Sequence, residues 1–122
     1  MKSLISSLFV ILFSILTQNA FANTHSFVQN DSTQTIQLKV WGECGMCKKR
    51  IEKTALSVPG VATANWNDSS KLLILTLVPG KEPAAEQIHK KIAQVGHDTD
   101  MVKADDKVYA KLPGCCQYER KP

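Results

Sequence analysis

The chain has 122 residues, of which 43% are hydrophobic and 21% charged, a globular balance that excludes disordered, collagen-like and low-complexity architectures. With residues 1–22 reading as a removable leader, about 100 residues remain, enough for one packed domain and too few for a multidomain enzyme. The formal net charge of +4 falls by one when Lys2 is removed, a mild basicity that gives no reason to expect a nucleic-acid partner.

Met1-Lys2 supplies a short positive start, and Leu4 to Leu16 is an apolar run of signal-peptide length, too short to span a bilayer comfortably. Ala20-Phe21-Ala22 presents small residues where a signal peptidase requires them, so cleavage is expected between Ala22 and Asn23. The expected location is the periplasm or the exterior, with no stable membrane insertion after cleavage. Residues 23–34, rich in Ser, Thr, Asn and Gln, read as a flexible arm.

Thr35 to Val40 alternates apolar and polar residues, which puts Ile36, Leu38 and Val40 on one face of a first strand. Beyond Trp41-Gly42-Glu43 comes Cys44-Gly45-Met46-Cys47, and from Cys47 the apolar positions Ile51, Ala55 and Val58 follow helical spacing. Pro59-Gly60 ends that helix. Val61 to Asn67 reads as a second strand with Ala62, Ala64 and Trp66 on one side; Asn67 to Ser70 supplies a turn, and Leu72 to Leu77 a third strand. Pro83 fits the first turn of a second helix carrying Ala84, Ile88, Ile92 and Val95, closed by Gly96. A short fourth strand is expected at about Thr99 to Val102. The order βαββαβ predicts an α+β, ferredoxin-like sandwich: an antiparallel sheet with two helices on one face. Residues 35–102 form that domain. Residues 103–122 are a C-terminal extension, in which Val108 to Leu112 reads as a short extra strand or turn ahead of Cys115-Cys116.

Outside the cytosol the default fate of paired thiols is a disulfide, and Cys44, Cys47, Cys115 and Cys116 allow three pairings. A Cys44–Cys47 bridge closes too small a loop to stabilise the fold much, so chemistry explains the pair better. Cys44 lies in the strand-to-helix loop and Cys47 at the helix start, where unpaired N–H groups and the positive helix end favour thiolates. Two thiolates can hold Cu(I) or Hg(II), whereas structural Zn(II) normally requires four protein ligands. An incomplete, exposed shell suits transfer by ligand exchange. Lys48, Lys49, Arg50 and Lys53 make a basic face, read as solvated surface or as a dock for an acidic partner.

The stretch Trp41-Gly42-Glu43-Cys44-Gly45-Met46-Cys47 after a first strand, Pro59-Gly60-Val61 with Ala64 and Asn67, and Val95-Gly96-His97-Asp98 resemble the heavy-metal-associated domain family over about Thr35 to Val102. That family includes small copper chaperones, modules of metal-transporting P-type ATPases and the periplasmic mercury-binding protein. The resemblance implies Cys44 and Cys47 as the metal ligands. Trp41-Gly42 stands where the family usually has Gly-Met, and a methionine appears inside the pair instead. Met46 reads as a packing residue, with a weak thioether ligand as the alternative. His97 stands where many copper members carry Tyr, which leaves both an imidazole near the ion and an ordinary loop histidine open.

Cys115 and Cys116 depart from the family. The last strand is expected to run away from the metal loop, so the tail starts at the far end of the domain. The residues from Val102 to Cys115 can extend roughly 43 Å at about 3.3 Å each, about twice the length of a six-residue strand, so reach permits a shared site. The tail thiols are therefore read as additional ligands or as forming a disulfide, a metal-bridged dimer contact or an independent tail site. The function expected is that of a non-enzymatic soft-metal carrier or buffer. Cu(I) comes first, with Hg(II) or Zn(II) as alternatives, and the partner is a metal-transporting membrane protein or another metal carrier. The competing functions are a thiol-disulfide oxidoreductase using Cys44 and Cys47, and a disulfide-stapled interaction domain.

Overall fold

The computed structural model describes residues 33–120; the expected leader, its cleavage site and nearly all of the arm lie outside the described residues. The elements are β1 (Thr35–Lys39), α1 (Gly45–Leu56), β2 (Val61–Asn67), β3 (Leu72–Leu77), α2 (Ala85–Gln94), the one-turn α3 (Asp106–Tyr109) and a 3-10 turn, Gly114–Cys116. β3 lies between β1 and β2 and is antiparallel to both. No helix among the described residues is long and apolar enough to cross a membrane.

Strand alternation builds the core as read. Leu38 and Val40 from β1 and its end meet Leu73, Leu75 and Leu77 from β3 on the buried face, with Leu38 opposite Leu73. The α1 stripe Cys47, Ile51 and Ala55, continued by Val58, packs there with Ile88 and Ile92 of α2, so both helices cover one face of the sheet. This is the ferredoxin-like arrangement. α2 begins at Ala85 with Ala84 as its N-cap, which leaves Pro83 just ahead of the helix rather than in its first turn.

The expected faces of β2 change at its start. Register advances from Val61 opposite Leu77 to Thr63 opposite Thr76, so Ala62 is the extra residue of a bulge. Val61 therefore shares the buried side with Ala64 and Trp66, and Ala62 is exposed. Gly60, at φ +95°, makes the turn into β2, and a Cβ there would overlap the carbonyl oxygen of Lys81.

The fourth strand is reduced to a single antiparallel bridge, Val40 with Thr99. Side chains take the backbone elsewhere. Thr99 Oγ1 accepts from Val102 N at 2.9 Å and from Met101 N at 3.3 Å, while Thr99 N donates to Val102 O at 2.8 Å. The chain thus turns back on itself where an extended strand would continue.

The tail is packed, and the segment expected to be an extra strand or turn becomes α3 and the turn after it, capped by Asp105, which accepts from Lys107 N at 2.8 Å. Leu112, Cys116 and Tyr118 belong to the hydrophobic core. Leu112 lies against Gly96, where a Cβ would stand 3.0 Å from Leu112 Cδ2. Tyr118 Oη accepts from Asp98 N at 2.7 Å and donates to Gly96 O at 3.0 Å. Arg120 clasps Asp98 with two bonds, Nε to Oδ2 at 2.8 Å and Nη2 to Oδ1 at 2.7 Å, and also donates to Asp106 Oδ1 and Ala104 O. Tyr109 Oη donates to Tyr118 O, and the guanidinium of Arg120 sits over the Tyr109 ring.

Burial alone would raise the Asp98 carboxyl, but Arg120 and the Ala104 N–H together hold it below the usual carboxylate range. A depressed carboxylate contributes stability that is present above its unfolded pKa and is lost as pH falls through the folded one. Asp98→Asn is expected to lower stability by about 3 kcal/mol at neutral pH, with the gap from the unsubstituted chain closing below roughly pH 4. Urea unfolding of both chains at neutral and acid pH checks this; a gap independent of pH would remove the charge from the account.

Candidate metal centre

The cysteine loop is shaped from beneath. A Cβ at Gly42 would come within 3.0 Å of Cys47 Cβ and 3.2 Å of Ile51 Cδ1 and the Trp66 ring, so glycine lets the chain pass close over the helix start. Cys44 is the extended N-cap of α1, and its carbonyl accepts from Lys48 N at 3.0 Å. Its sulfur therefore stands outside the first turn, with the sulfur of Cys47 3.4 Å away.

The 3-10 turn of the tail brings the second pair to the same place. Cys44 Sγ lies 3.4 Å from Cys115 Sγ and 3.3 Å from Cys116 Sγ. The sulfurs of Cys44, Cys115 and Cys116 all lie within 4.8 Å of one another, and Cys47 shares its thiol hydrogen with Cys116. All four are free thiols. Cys47 and Cys116 are fully buried, Cys44 is half-buried and Cys115 is exposed.

The other expected site residues divide. Met46 Sδ is 3.8 Å from Cys115 Sγ, at the open rim of the cluster, and its side chain is largely exposed rather than packed. His97 is buried behind the loop: its Nδ1 donates to Trp41 O at 2.8 Å and its ring stacks on Tyr118, while Nε2 has no hydrogen-bond partner among the described residues. Burial lowers its pKa, against the pull of the Trp41 carbonyl, so the ring stays neutral. It braces the loop, and the compact sulfur group does not include it.

The basic residues also separate. Lys48 Nζ is tied to Trp66 O at 2.5 Å and Glu52 Oε1 at 2.6 Å, whereas Arg50 Nη1 donates to Cys116 Sγ at 3.5 Å. Arg50 is the cation the sequence concealed, because helical spacing put it among surface charges and nothing local announced a sulfur from 66 residues away. Tyr118 and Arg120 were equally silent, since both act through the loop at Gly96 to Ala104.

Acidity is unevenly shared. Burial would raise the Cys44 thiol, but the Cys47 backbone N–H and the thiol hydrogens of Cys116, Cys47 and Cys115 together lower it to about 6. Burial, then the donation of its own thiol hydrogen to Cys116, pushes Cys47 up to about 11. The bond to Cys44 raises Cys115, and burial raises Cys116. Near neutral pH the metal-free cluster thus carries its negative charge on Cys44.

No family model matches the chain, and no curated protein matches it. Among solved structures, the CopZ metallochaperone is similar at 27% identity and TM-score 0.51, over 54% of this chain and 98% of that one. The water-soluble region of the P-type ATPase CopA from Bacillus subtilis is 28% identical at TM-score 0.49, over 57% of this chain and 46% of that one. The N-terminal domain of the zinc(II) ATPase ZiaA is 27% identical at TM-score 0.46, over 74% and 77% respectively.

Iodoacetamide is expected to label Cys44 of the reduced, metal-free chain ahead of Cys115, despite the greater exposure of Cys115, with the early rate rising through about pH 6. Peptide mass mapping at successive times reads the order, and labelling of Cys115 first would move the thiolate.

Proposed function

We propose that this chain, which belongs to the heavy-metal-associated domain family, is a non-enzymatic soft-metal carrier or buffer acting outside the cytoplasm after loss of residues 1–22. The observation that carries the reading is the convergence of sulfurs at the start of α1, where Cys44 Sγ and Cys47 Sγ stand 3.4 Å apart. The likeness to a metallochaperone supports it. Polarisable sulfur donors select ions such as Cu(I), Hg(II) or Zn(II) over hard cations. Cu(I) is the preferred cargo, because a donor set of sulfur alone suits a soft, singly charged ion.

Binding replaces thiol hydrogens by the ion, and Cys44 meets it already deprotonated near neutral pH. The ion is passed by exchange of thiolate ligands with a metal-transporting membrane protein or another carrier. No bond within a substrate is made or broken. Thiol-disulfide exchange by the same pair would register as insulin reduction dependent on Cys44, and none is expected.

Titration of the reduced mature chain with Cu(I) against a chromophoric chelator tests the reading. Cys44→Ser or Cys47→Ser is expected to weaken binding by roughly a hundredfold or more, since losing only an outer-shell partner already costs 10- to 100-fold. Affinity indifferent to both changes would overturn the site. A preference for Hg(II) or Zn(II) in parallel titrations would reassign the cargo.

A further inference from the structure

We propose that the C-terminal tail is a ligand-bearing lid: Cys115 and Cys116 complete a closed thiolate site with Cys44 and Cys47, and the clasp behind them sets how fast a bound ion leaves. This rests on the metal reading above and specifies its ligand set and its release route.

The sulfur spacing comes first. Cys44 Sγ is as close to Cys115 and Cys116, at 3.4 and 3.3 Å, as it is to Cys47, at 3.4 Å. A tetrahedral ion with sulfur bonds of about 2.3 Å sets sulfur–sulfur edges of about 3.8 Å. The three edges at Cys44 therefore need to lengthen by only a few tenths of an ångström to admit an ion, and Cys47, outside the compact group of the other three, joins it through Cys44. Three or four thiolates around a soft ion retain it more tightly than two.

The tail is held by more than its cysteines. Leu112 on Gly96, Tyr118 Oη between Asp98 N and Gly96 O, and Arg120 on Asp98 and Ala104 O all grip the segment from Gly96 to Ala104. That segment is itself fixed to the metal loop: Trp41 N donates to Asp98 O at 2.9 Å, and His97 Nδ1 donates to Trp41 O at 2.8 Å. The lid and the Cys44 loop are thus cross-braced through one shared strut. Arg50 supplies positive charge at Cys116, where three or four thiolates around one ion would leave a net negative site.

Exposure then sets the route. Exchange must start at a sulfur an incoming thiol can reach, and Cys47 and Cys116 are fully buried. Cys115 is exposed, so it is displaced first. The partner's thiolate bonds to the ion as the bond to Cys115 breaks, and the freed Cys115 thiolate takes up a proton equivalent to the one the incoming thiol released. The oxidation state of the metal does not change. Freeing Cys116 next requires the tail to lift, which the Asp98–Arg120 clasp opposes.

Cd(II) serves as the counting probe, because its ultraviolet sulfur-to-metal absorption scales with the number of thiolate bonds. With the reduced mature chain, three or four thiolates are expected. The Cys115→Ser/Cys116→Ser chain should bind one ion with about half to two-thirds of that absorption through the paired thiolates that remain. Arg120→Gln should keep the full absorption and release Cu(I) to a competing chelator about tenfold faster, the scale of lost outer-shell support. Near-UV circular dichroism of the tryptophans verifies folding. A parallel readout needs no variant: Cd(II) should protect the exposed Cys115 from iodoacetamide. If Cys115 stays as reactive with Cd(II) as without it, if the absorption reports only two thiolates, or if Arg120→Gln leaves the release rate unchanged, the lid is overturned while the metal reading stands. If Cys44→Ser/Cys47→Ser leaves Cd(II) binding intact, the metal reading fails instead.

Discussion

Everything at the sulfur cluster depends on how the backbone of Trp41 is held. Its N–H donates to Asp98 O and its carbonyl accepts from His97, so the residue three places before Cys44 is pinned on both sides by the loop after α2. Two hydrogen bonds to a short segment suppress rocking of the loop, and Gly42 then lets it pass close over Cys47, Ile51 and Trp66. The same Gly96 to Asp98 loop receives Tyr118 and Arg120 from the tail. Both cysteine pairs are consequently referenced to one rigid piece of backbone. That is why sulfurs more than 70 residues apart in sequence meet at 3.3 to 3.4 Å.

The arrangement balances capture against retention. A half-buried Cys44, acid enough to be ionised near neutral pH, gives an arriving cation an immediate anionic ligand. The remaining thiols are harder to deprotonate, so each further bond forms only as the ion displaces a hydrogen. The affinity that develops is graded: the outermost sulfurs engage and disengage with little disturbance, and the buried ones do so only with movement of the core they are packed in. Cys116 is a core residue in the same cluster as Ile51 and Trp66. Its detachment from an ion is therefore coupled to the stability of the tail.

Much of this was legible in the sequence because it is written in periodicity. The stripe Cys47, Ile51, Ala55, Val58 and the alternation of β1 and β3 give the helix-on-sheet core directly, and Cys-x-x-Cys between strand and helix places the first thiol pair. What was illegible is side-chain competition for backbone groups. Nothing in Val61 to Asn67 marks Ala62 as the unpaired residue of a bulge, because a bulge is fixed by register against Leu77 and Thr76. Thr99 reads as a strand residue until its hydroxyl is seen to take two N–H groups from the residues that follow. Chain length bounded the reach of Cys115 and Cys116 without locating them, since the grips that locate them are long-range contacts of Leu112, Tyr118 and Arg120.

The shortened fourth strand and the tail lid are two faces of one change. In the regular βαββαβ order the last strand would run along the outer edge of β1, away from the cysteine loop, and deliver the C-terminus to the far end of the sheet. Here extended pairing stops at the Val40–Thr99 bridge, and the chain reverses between Thr99 and Val102. It therefore stays at the end of the sheet where Trp41 and Asp98 meet, and the following residues need only α3 and one short turn to bring Cys115 and Cys116 onto Cys44. Among the described residues, the exchange leaves the outer edge of β1 uncovered by a strand. That edge carries exposed Thr35, Gln37 and Lys39, polar and charged side chains that discourage edge-to-edge pairing. A lost row of sheet hydrogen bonds is thus offset by a packed tail whose cysteines face the cluster. The Asp98 and Thr99 side chains, by drawing the backbone away from the sheet, determine that Cys115 and Cys116 come to the metal loop.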